Sequence, residues 1–524
     1  MSAAAIEADG HALPRGGLIL VTLILGATVA NLNLSVANVA LPTIGRDLQA
    51  SQVSLNLVAV GFTLGLAASV LYLGAVADRY GRKLMLVLGL SLSIPTALLA
   101  GYAPDVETLA VARVLGGIAA GMAFPTTLSI IVHLFSGPAQ TRAIALWTGI
   151  GCGASALGPA MVGYLLERYA WGSAFLLTVP FAIVALIMAL AFVPRAAGEE
   201  KVPVDHLGGV ISVVAIGLLT LGLHFVAVPA EQTVGIIATL VSIVGFALFA
   251  WRQKRAPNPL FDLAVASRRI FWVSALTGLI VFGTLVGSMY VGQQYVQNVL
   301  GYSTFEAGLS ALPMSIAMVL VSPVAAIAIE RLGSRITILI GVALVLAGVG
   351  LMFTWREGAS YLPVGLAYSV IGLGIGFAGT PASRSIMAAV PRNRSGMGSG
   401  TTDLQRDLGA AIMQSLLAIF LTREYTASVD KQLANVPADK RDLITDQIAG
   451  VLRDSFGGAE AIAQQHPQYG DAIMAGARTA FTDGSAAAIA AALVAIAIGF
   501  VVTFVWFPRR DAERADEARY AQEQ

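Results

Sequence analysis

Charged residues are scarce in this sequence. Asp, Glu, Lys and Arg make up 12% of its 524 residues, whereas an average soluble domain contains roughly 25%. Hydrophobic residues make up 56% of the chain, and the mean hydropathy is +0.77. A soluble protein of this composition would lack the polar side chains needed to cover its surface, so the composition predicts an integral membrane protein.

The residue types that carry out chemistry in enzymes are also sparse. The chain has one cysteine, Cys152, and five scattered histidines, which excludes a disulfide framework and a cysteine-based metal site. No convergent Ser–His or Cys–His set is apparent, and there is no GxxxxGK[ST] loop to hold the phosphates of ATP. The net charge of +1 gives no reason to expect nucleic acid. We therefore expect neither an enzyme nor a bound metal or cofactor.

Long apolar runs are what the chain has instead. A helix that crosses a bilayer needs about 20 mostly apolar residues, and fourteen such segments begin near residues 17, 52, 83, 107, 143, 173, 207, 233, 271, 305, 336, 360, 397 and 484. We call them spans 1 to 14. The first is too long for a signal-peptide core, so we expect it to be retained.

The basic residues favour one topology. With both termini in the cytoplasm, twenty Lys and Arg residues, Arg195 and Lys201 among them, lie on inner segments, and only Arg46, Arg168 and Arg356 lie in short outer loops. Cytoplasmic loops carry an excess of positive charge in membrane proteins. The sequence therefore predicts a multi-pass protein of a plasma membrane, the bacterial inner membrane, with both termini in the cytoplasm.

An internal repeat predicts two related halves. "GAVADRYGRKLML" (74–86) aligns with "AIAIERLGSRITI" (326–338) at a constant offset of 252 residues, so Asp78 and Gly81 correspond to Glu330 and Gly333. Secondary transporters use duplicated halves to build a midplane site with alternating access. We predict a six-helix bundle over 1–198, two inserted helices with linkers over 199–256, a second six-helix bundle over 257–508 that includes an extracellular helical hairpin at 422–483, and a charged, frayed cytoplasmic tail over 509–524.

The repeated loop and three other stretches resemble a known family. Six residues of "GAVADRYGRK" match the loop signature of the major facilitator superfamily: Gly74, Asp78, Arg79, Gly81, Arg82 and Lys83. "GIGCGASALGPAMVGYL" in span 5 is similar to the signature of the family's drug–proton antiporters, with Gly158, Pro159 and Gly163. "ANVALPTI", "NPLFDL" and "VLGYSTFEAGLSALP" resemble its fourteen-span branch of quaternary-ammonium and multidrug efflux pumps.

The resemblance implies a fold and a role for these residues. The fold is an all-α integral membrane protein of two pseudo-symmetric six-helix bundles plus two inserted helices, fourteen transmembrane helices in all. The nine residues just named would take part in gating. Topology charge in the loop and ordinary packing of small residues in span 5 are the alternative interpretations.

Span 13 contains three charges at membrane depth. In "SGTTDLQRDLGAAIMQSLLAIF" (399–420), Asp403 and Asp407 lie roughly 6 and 12 Å from Ser399 along the helix. Their i, i+4 spacing puts both on one face, and Arg406 can pair with Asp403. Charges in hydrocarbon cost several kcal/mol and usually serve a function, so we predict that these three residues couple transport to protons. The alternative is a static network that ties span 13 to Arg384 of span 12.

Two further positions depend on the resemblance. Arg113 in "LAVARVLGGIAAG" matches the arginine of the family's span 4 signature, which implies a part in proton transfer; snorkelling to an interface is the alternative. Asn33 stands where the drug-exporting branch usually has an aspartate. We include it among the substrate-binding candidates, most of which suit lipophilic cations: Asn33, Phe62, Phe124, Trp147, Met289, Tyr290, Gln293, Gln294 and Tyr295.

The sequence thus predicts a monomeric secondary transporter that exports amphiphilic or cationic compounds by proton antiport. Its partners would be the small substrate, protons and membrane lipids. An exporter of an endogenous lipid or metabolite with the same fold is the alternative, and the missing acid in span 1 favours it. A membrane sensor or scaffold would need no acids in span 13.

Overall fold

A computed structural model describes residues 7–8, 11–12, 15–50, 52–194, 203–226, 231–358, 360–436 and 444–522. The predicted inner charges Arg195 and Lys201, and the predicted boundary after residue 198, lie outside these residues, as does the side chain of Cys152. Besides helices, the regular structure includes one hairpin of two-residue strands, β1 (Glu7–Ala8) and β2 (His11–Ala12).

Helices occur at all fourteen predicted positions. The first half contains α1 (Gly16–Asp47), α2 (Gln52–Tyr80), α3 (Arg82–Gly101), α4 (Val106–Leu134), α5 (Gly137–Leu166), α6 (Gly172–Leu176) and α7 (Thr178–Phe192). The inserted pair is α8 (His206–Val226) and α9 (Gln232–Arg255). The second half contains α10 (Leu263–Ala266), α11 (Arg269–Asn298), α12 (Thr304–Ser310), α13 (Leu312–Leu332), α14 (Ser334–Leu351), α15 (Leu362–Ala388), α16 (Ser395–Ala434), α17 (Asp446–Asp454), α18 (Phe456–Gln465) and α19 (Gly470–Trp506), and α20 (Arg510–Gln522) follows.

Most of these helices can cross a membrane. In the part of the chain that the structure describes, thirteen helical segments are long and apolar enough to do so. The remaining predicted span is α5, a helix of 30 residues in which the side chains at 152 and 155–157 are not described. The prediction of an all-α membrane protein is confirmed.

The two copies of the repeat have the same local structure. A single glycine separates two spans in each copy, and Gly81 (φ +113°) and Gly333 (φ +83°) both have a positive φ that side chains with a Cβ rarely adopt. Each preceding acid then faces the other half. Asp78 contacts the first turn of α16, and Glu330 lies 3.9 Å from Arg142 in the second turn of α5. We call this end of the bundle the Asp78 end.

The halves meet through small residues, and the inserted pair covers one seam between them. A Cβ on Gly74 of α2 would lie 2.6 Å from the carbonyl oxygen of Gly396 of α16, so the two backbones touch. Beside them, α8 packs on α2, and the Ser415 hydroxyl of α16 donates a hydrogen bond to the Leu223 carbonyl of α8 at 2.6 Å. The other seam is formed by α5 against α12 and α13.

The outer segment differs from the predicted separate hairpin. The helices α16 and α19 have 40 and 37 residues, about 60 and 55 Å, so both continue well beyond a bilayer core of about 30 Å. The two short helices α17 and α18 pack between their ends, and residues 437–443 lie outside the described residues. Ser455 caps α18, and Gly457 and Gly458 lie in the first turn of this helix.

The prediction of a frayed tail is wrong. The helix α20 is docked at the Asp78 end, where Glu517 accepts two hydrogen bonds from Arg384, at 2.8 and 3.1 Å. Glu513 is buried and accepts a hydrogen bond from the Ser334 backbone N–H at 3.1 Å. Tyr520 is buried as well. Glu517 follows Glu513 by four residues, and Tyr520 follows Glu517 by three. The three side chains therefore lie on one face of α20, which is the docked face.

Candidate functional site

The helix that carries the three deep charges begins against the opposite half. Asp78 of α2 accepts a hydrogen bond from the backbone N–H of Gly396 at 2.7 Å and one from the Ser395 hydroxyl at 3.3 Å. Free N–H groups in the first turn of a helix, together with its dipole, favour a carboxylate there. Asp78 also pairs with Arg82 at 3.0 Å, and Arg82 donates to the Arg392 carbonyl at 3.2 Å.

The other predicted gating residues divide into two groups. Gly74 joins the Asp78 contact through its close approach to Gly396, but Lys83 donates to the Leu190 carbonyl at 3.1 Å and Arg79 lies over the ring of Tyr80. The span 5 residues lie in the other seam. Gly163 touches the backbone of Phe305, and the backbone of Gly308 packs against Pro159 and Ala160, with Gly158 buried beside them.

The acids of α16 are buried and poorly satisfied. Asp403 is 0% exposed and Asp407 5%. Among the described residues, three of the four carboxylate oxygens have no hydrogen-bond partner. They are both oxygens of Asp403 and the Oδ2 of Asp407. Nε and Nη2 of Arg406 make no hydrogen bond with either acid in this part of the chain. The predicted pairing of Asp403 with Arg406 is therefore not formed as a hydrogen-bonded ion pair, although the charge of Arg406 acts on both carboxylates. Buried carboxylates without a partner are costly when charged.

Arg406 instead lies among aromatic rings from both halves. Its guanidinium carbon is 4.6 Å from the ring centroid of Trp147, 4.7 Å from that of Phe282 and 5.6 Å from that of Phe124. We call these three rings the aromatic cage. Phe124 stacks on Trp147 at 5.5 Å, and the Trp147 indole N–H donates to the Thr127 hydroxyl at 2.9 Å, which fixes the ring.

The structure thus brings together two predicted substrate residues and the three predicted coupling residues of α16. Phe124 lies on α4, Trp147 on α5, and Arg406 with its acids on α16. Sequence reasoning missed Phe282 on α11. The helix bounds contain a signal that could have identified it. Phe282 is 13 residues after the start of α11, and Arg406 is 11 residues after the start of α16, which begins at the same end of the bundle. The two residues therefore lie at the same depth within about 3 Å.

Among the described residues, no hydrogen bond or ion pair joins Arg384 to the acids of span 13, so the alternative of a static network is not seen there. Arg384 turns towards the Asp78 end, where it binds Glu517, lies 3.9 Å from Glu513 and donates to the Thr141 hydroxyl of the first half at 3.2 Å. Arg406 therefore contacts its rings without the help of Arg384. The contacts of Arg384 give no support to a static network that ties span 13 to span 12.

Arg113 forms a separate site in the first half. It is 2% exposed and donates to the backbone carbonyls of Asn33 at 3.0 Å and Val58 at 3.4 Å. Its guanidinium carbon is 4.9 Å from the Phe62 ring centroid and 5.6 Å from that of Phe175. Because Phe124 is eleven residues further along α4, about 16 Å, Arg113, Asn33 and Phe62 do not share the aromatic cage.

The remaining candidates lie on α11, away from the cage. The hydroxyl of Tyr295 donates to the Arg356 carbonyl at 2.8 Å, and its ring stacks on Trp355 in the core of the second half. Gln293 donates to the Ala307 carbonyl at 2.8 Å within the same half. Gln294, Met289 and Tyr290 are half-buried beside this core. The structure gives Tyr295 a packing role, and substrate binding by the other four stays a prediction.

Comparison with known proteins agrees with this architecture. Multidrug resistance protein Stp of Mycobacterium tuberculosis is 29% identical over 94% of this chain and 92% of its own length. Multidrug efflux pump LfrA of Mycolicibacterium smegmatis is 30% identical over 93% and 96%, and Methyl viologen resistance protein SmvA of Salmonella typhimurium is 30% identical over 95% and 99%. The crystal structure of the human organic anion transporter MFSD10 (TETRAN) matches with a TM-score of 0.57 over 94% of this chain and 100% of that one, at 15% identity, which shows the fold alone.

A family model extends the comparison. The model described as Major Facilitator Superfamily matches residues 23–413, from α1 into α16. The match includes both copies of the repeated loop, the aromatic cage and the acids of α16. This chain therefore belongs to the Major Facilitator Superfamily.

Proposed function

We propose that this transporter exports amphiphilic or cationic compounds from bacteria by proton antiport with alternating access. The Asp78 end and both termini would face the cytoplasm of an inner-membrane protein, as the distribution of Lys and Arg favours. Relatives whose names describe multidrug efflux or methyl viologen resistance match along more than nine-tenths of the chain, which supports drug export.

The observation that carries the proton step is the state of the two acids on α16. Asp403 and Asp407 are buried at membrane depth, and three of their four carboxylate oxygens lack a hydrogen-bond partner among the described residues. A buried carboxylate that is not paired binds a proton more readily than it stays charged. Each acid can therefore carry a proton across the midplane and release it where water reaches the site.

The contact between Asp78 and Gly396 supports alternating access. It closes one end of the boundary between the halves and depends on one carboxylate at one helix N-terminus. Such a contact can break and re-form with each cycle, because a charge at a helix end contributes only about 1 to 2 kcal/mol. Breaking it would let the halves separate at the Asp78 end.

The alternative, export of a lipid or metabolite, requires a wide lateral opening for a lipid. The seam between α2 and α16 is covered by α8 through the contact between Ser415 and Leu223. This cover argues for a compact amphiphile over a two-chain lipid.

Flux in proteoliposomes tests the proposal. Purified protein in vesicles should move ethidium or methyl viologen when a pH gradient is imposed and should move protons in the opposite direction when the cation gradient is imposed. Asp105→Asn is a suitable control, because Asp105 caps α4 in a loop and asparagine caps helices equally well. Cation flux that is the same with and without the pH gradient would overturn proton coupling, and no flux of either cation would overturn export of this class.

A further inference from the structure

The aromatic cage already holds a cation, which is the guanidinium of the protein's own Arg406. Arg406 reaches three ring faces within 5.6 Å, and two of those rings are contributed by the opposite half. Aromatic faces attract cations through their negative quadrupole, most strongly when water is excluded. Phe124 and Trp147 are 2% and 1% exposed and Phe282 is 2% exposed, so the cage is dry in this state.

The aromatic rings are the contacts of the Arg406 guanidinium, although its charge also acts on both carboxylates. Nε and Nη2 of Arg406 are buried and have no hydrogen-bond partner among the described residues, although Asp403 and Asp407 lie one turn and one residue away on the same helix. An arginine normally pairs with carboxylates through several N–H groups. Arg406 lies in the cage while three of the four oxygens of the two acids lack a hydrogen-bond partner among the described residues. We infer that one positive charge can occupy either of two places, the aromatic cage or the neighbourhood of the two acids.

We propose that the aromatic cage of Phe124, Trp147 and Phe282 is the cation subsite of this transporter and that Arg406 is an internal competitor for it. A substrate cation would displace the guanidinium, which would then pair with Asp403 and Asp407 on its own helix. The inference rests on the proposed function, since it names the substrate class of that same site. The class is flat, delocalised organic cations, which present a face to stacked rings as a guanidinium does.

This exchange would make proton and substrate binding mutually exclusive. When both acids are charged, they offer Arg406 a partner outside the cage, and the cage is free for substrate. When protons neutralise the acids, Arg406 loses that partner and returns to the rings, which expels the substrate cation. The site then holds one cation in the cage in either state, and the number of protons decides which cation it is.

Equilibrium binding to the full-length protein in detergent tests the competition. Ethidium fluorescence anisotropy at fixed pH and salt would give the dissociation constant. Arg406→Gln should tighten ethidium binding about ten-fold, because the apparent affinity is the intrinsic affinity multiplied by the fraction of time that the site is free, here about one tenth. Arg406→Lys should tighten ethidium binding less than Arg406→Gln does, since lysine keeps a charge that the rings attract. Arg168→Gln should change nothing, because Arg168 contacts the Tyr164 ring at an exposed loop.

A double-mutant cycle separates competition for the rings from simple charge repulsion. Trp147→Leu removes one ring, and the gain from Arg406→Gln should then fall to about three-fold or less, since both competitors lose the same contact. A gain that persists in full in the Trp147→Leu protein would mean that Arg406 acts only through its charge, and a loss of affinity in Arg406→Gln would mean that Arg406 helps to bind substrate. Either result overturns the proposal.

Binding to a Phe282 variant and a comparison of binding with flux are two further readouts. If Arg406→Gln does not fold, Phe282→Leu in the wild-type background should weaken binding of ethidium more than that of a neutral aromatic probe of similar size, because only the cation loses a cation–π contact as well as stacking. Equal effects on both probes would overturn the cation subsite. These assays need no gradient. A failure of proton-driven flux together with the predicted binding changes would overturn the proposed function alone, and normal flux without the binding changes would overturn the cage alone.

Discussion

Asp78 and Gly396 lie 318 residues apart in the chain, and the carboxylate of the first accepts a 2.7 Å hydrogen bond from the backbone N–H of the second. This bond connects the repeated loop of one half to the first turn of α16 in the other half. The same helix carries Asp403, Arg406 and Asp407 within the next eleven residues. A helix transmits displacement along its axis, so separation of the halves at Asp78 would also move Arg406 relative to Phe124 and Trp147.

Replacing Asp78 tests this link. Asp78→Asn keeps an oxygen that can accept from Gly396 but removes the charge that faces the helix N-terminus and pairs with the buried Arg82. The helix-end part alone is worth up to about 2 kcal/mol in a partly buried setting. We expect transport in proteoliposomes to fall about ten-fold, the factor that corresponds to 1.4 kcal/mol, while the protein still folds and inserts. Unchanged flux at equal protein amount would show that the contact is not needed in the cycle.

The close approach of α2 and α16 gives a second prediction with a glycine control. A Cβ on Gly74 would lie 2.6 Å from the Gly396 carbonyl oxygen, whereas a Cβ on Gly350 near the end of α14 meets nothing within 4 Å. Gly74→Ala should therefore push the halves apart and reduce flux. Gly350→Ala should keep wild-type flux and melt at an equal or higher temperature, because alanine favours a helix by up to about 1 kcal/mol over glycine. Equal flux in the two variants would mean that these helices need not touch.

The positions of the helices could be predicted from the sequence, since each depends on a local run of apolar residues. The repeat also aligns Gly81 with Gly333, and both glycines have a positive φ in the structure. The partner of Arg406 could not be predicted this way. Helical spacing puts Asp403 within reach, but rings on α4, α5 and α11 determine where the guanidinium lies, and only the tertiary fold brings those rings together.

The docked tail escaped prediction for a different reason. The polar sequence of α20 has no apolar stripe, and its docking depends on Glu513, Glu517 and Tyr520 meeting Ser334, Arg384 and Arg268. Such polar contacts leave little trace in hydropathy. The extension of α16 beyond residue 421 was missed similarly, because apolar character ends there while the helix continues to Ala434.

Glu513 predicts a pH dependence for the docking of α20. Burial and the neighbouring charge of Glu517 raise the pKa of Glu513 above its ordinary 4.5, and the hydrogen bond from Ser334 and the charge of Arg384 offset this only in part. A carboxyl whose pKa is raised by docking binds its proton more tightly in the docked state. Its contribution to docking is therefore fully present below pH 4.5 and is lost as the pH rises through the raised pKa.

Hydrogen exchange of the α20 amides checks this, after correction for the intrinsic rate at each pH. Protection should decrease from pH 4.5 upwards in the wild type, and Glu513→Gln should remove that decrease, because glutamine keeps the shape without a titrating proton. Asp511→Asn, on the exposed face of the same helix, should leave the decrease intact. Protection that rises with pH in the wild type would reverse the sign and contradict the assignment.

The last prediction concerns the less deeply enclosed of the two acids. Asp407 is 5% exposed and Asp403 is 0% exposed, so we expect Asp407 to exchange its proton more readily than Asp403. Asp407→Asn imitates the permanently protonated acid and removes a partner for Arg406. Flux driven by a pH gradient should vanish. Ethidium binding should persist but weaken, because Arg406 then competes for the aromatic cage at every pH, and the pH dependence of binding should shrink.

Asp403→Asn separates proton carriage from structure at the same site. Because Asp403 is sealed in this conformation and makes no hydrogen bond among the described residues, an amide there should preserve folding, and gradient-driven flux should fall less than in Asp407→Asn. The Asp105→Asn control should show wild-type flux and the full pH dependence of binding. If Asp407→Asn transports normally under a gradient, the coupling proton is carried elsewhere. If Asp407→Asn fails to fold while Asp403→Asn folds, Asp407 has a structural role, and the charge on α16 is then retained for stability and not for coupling.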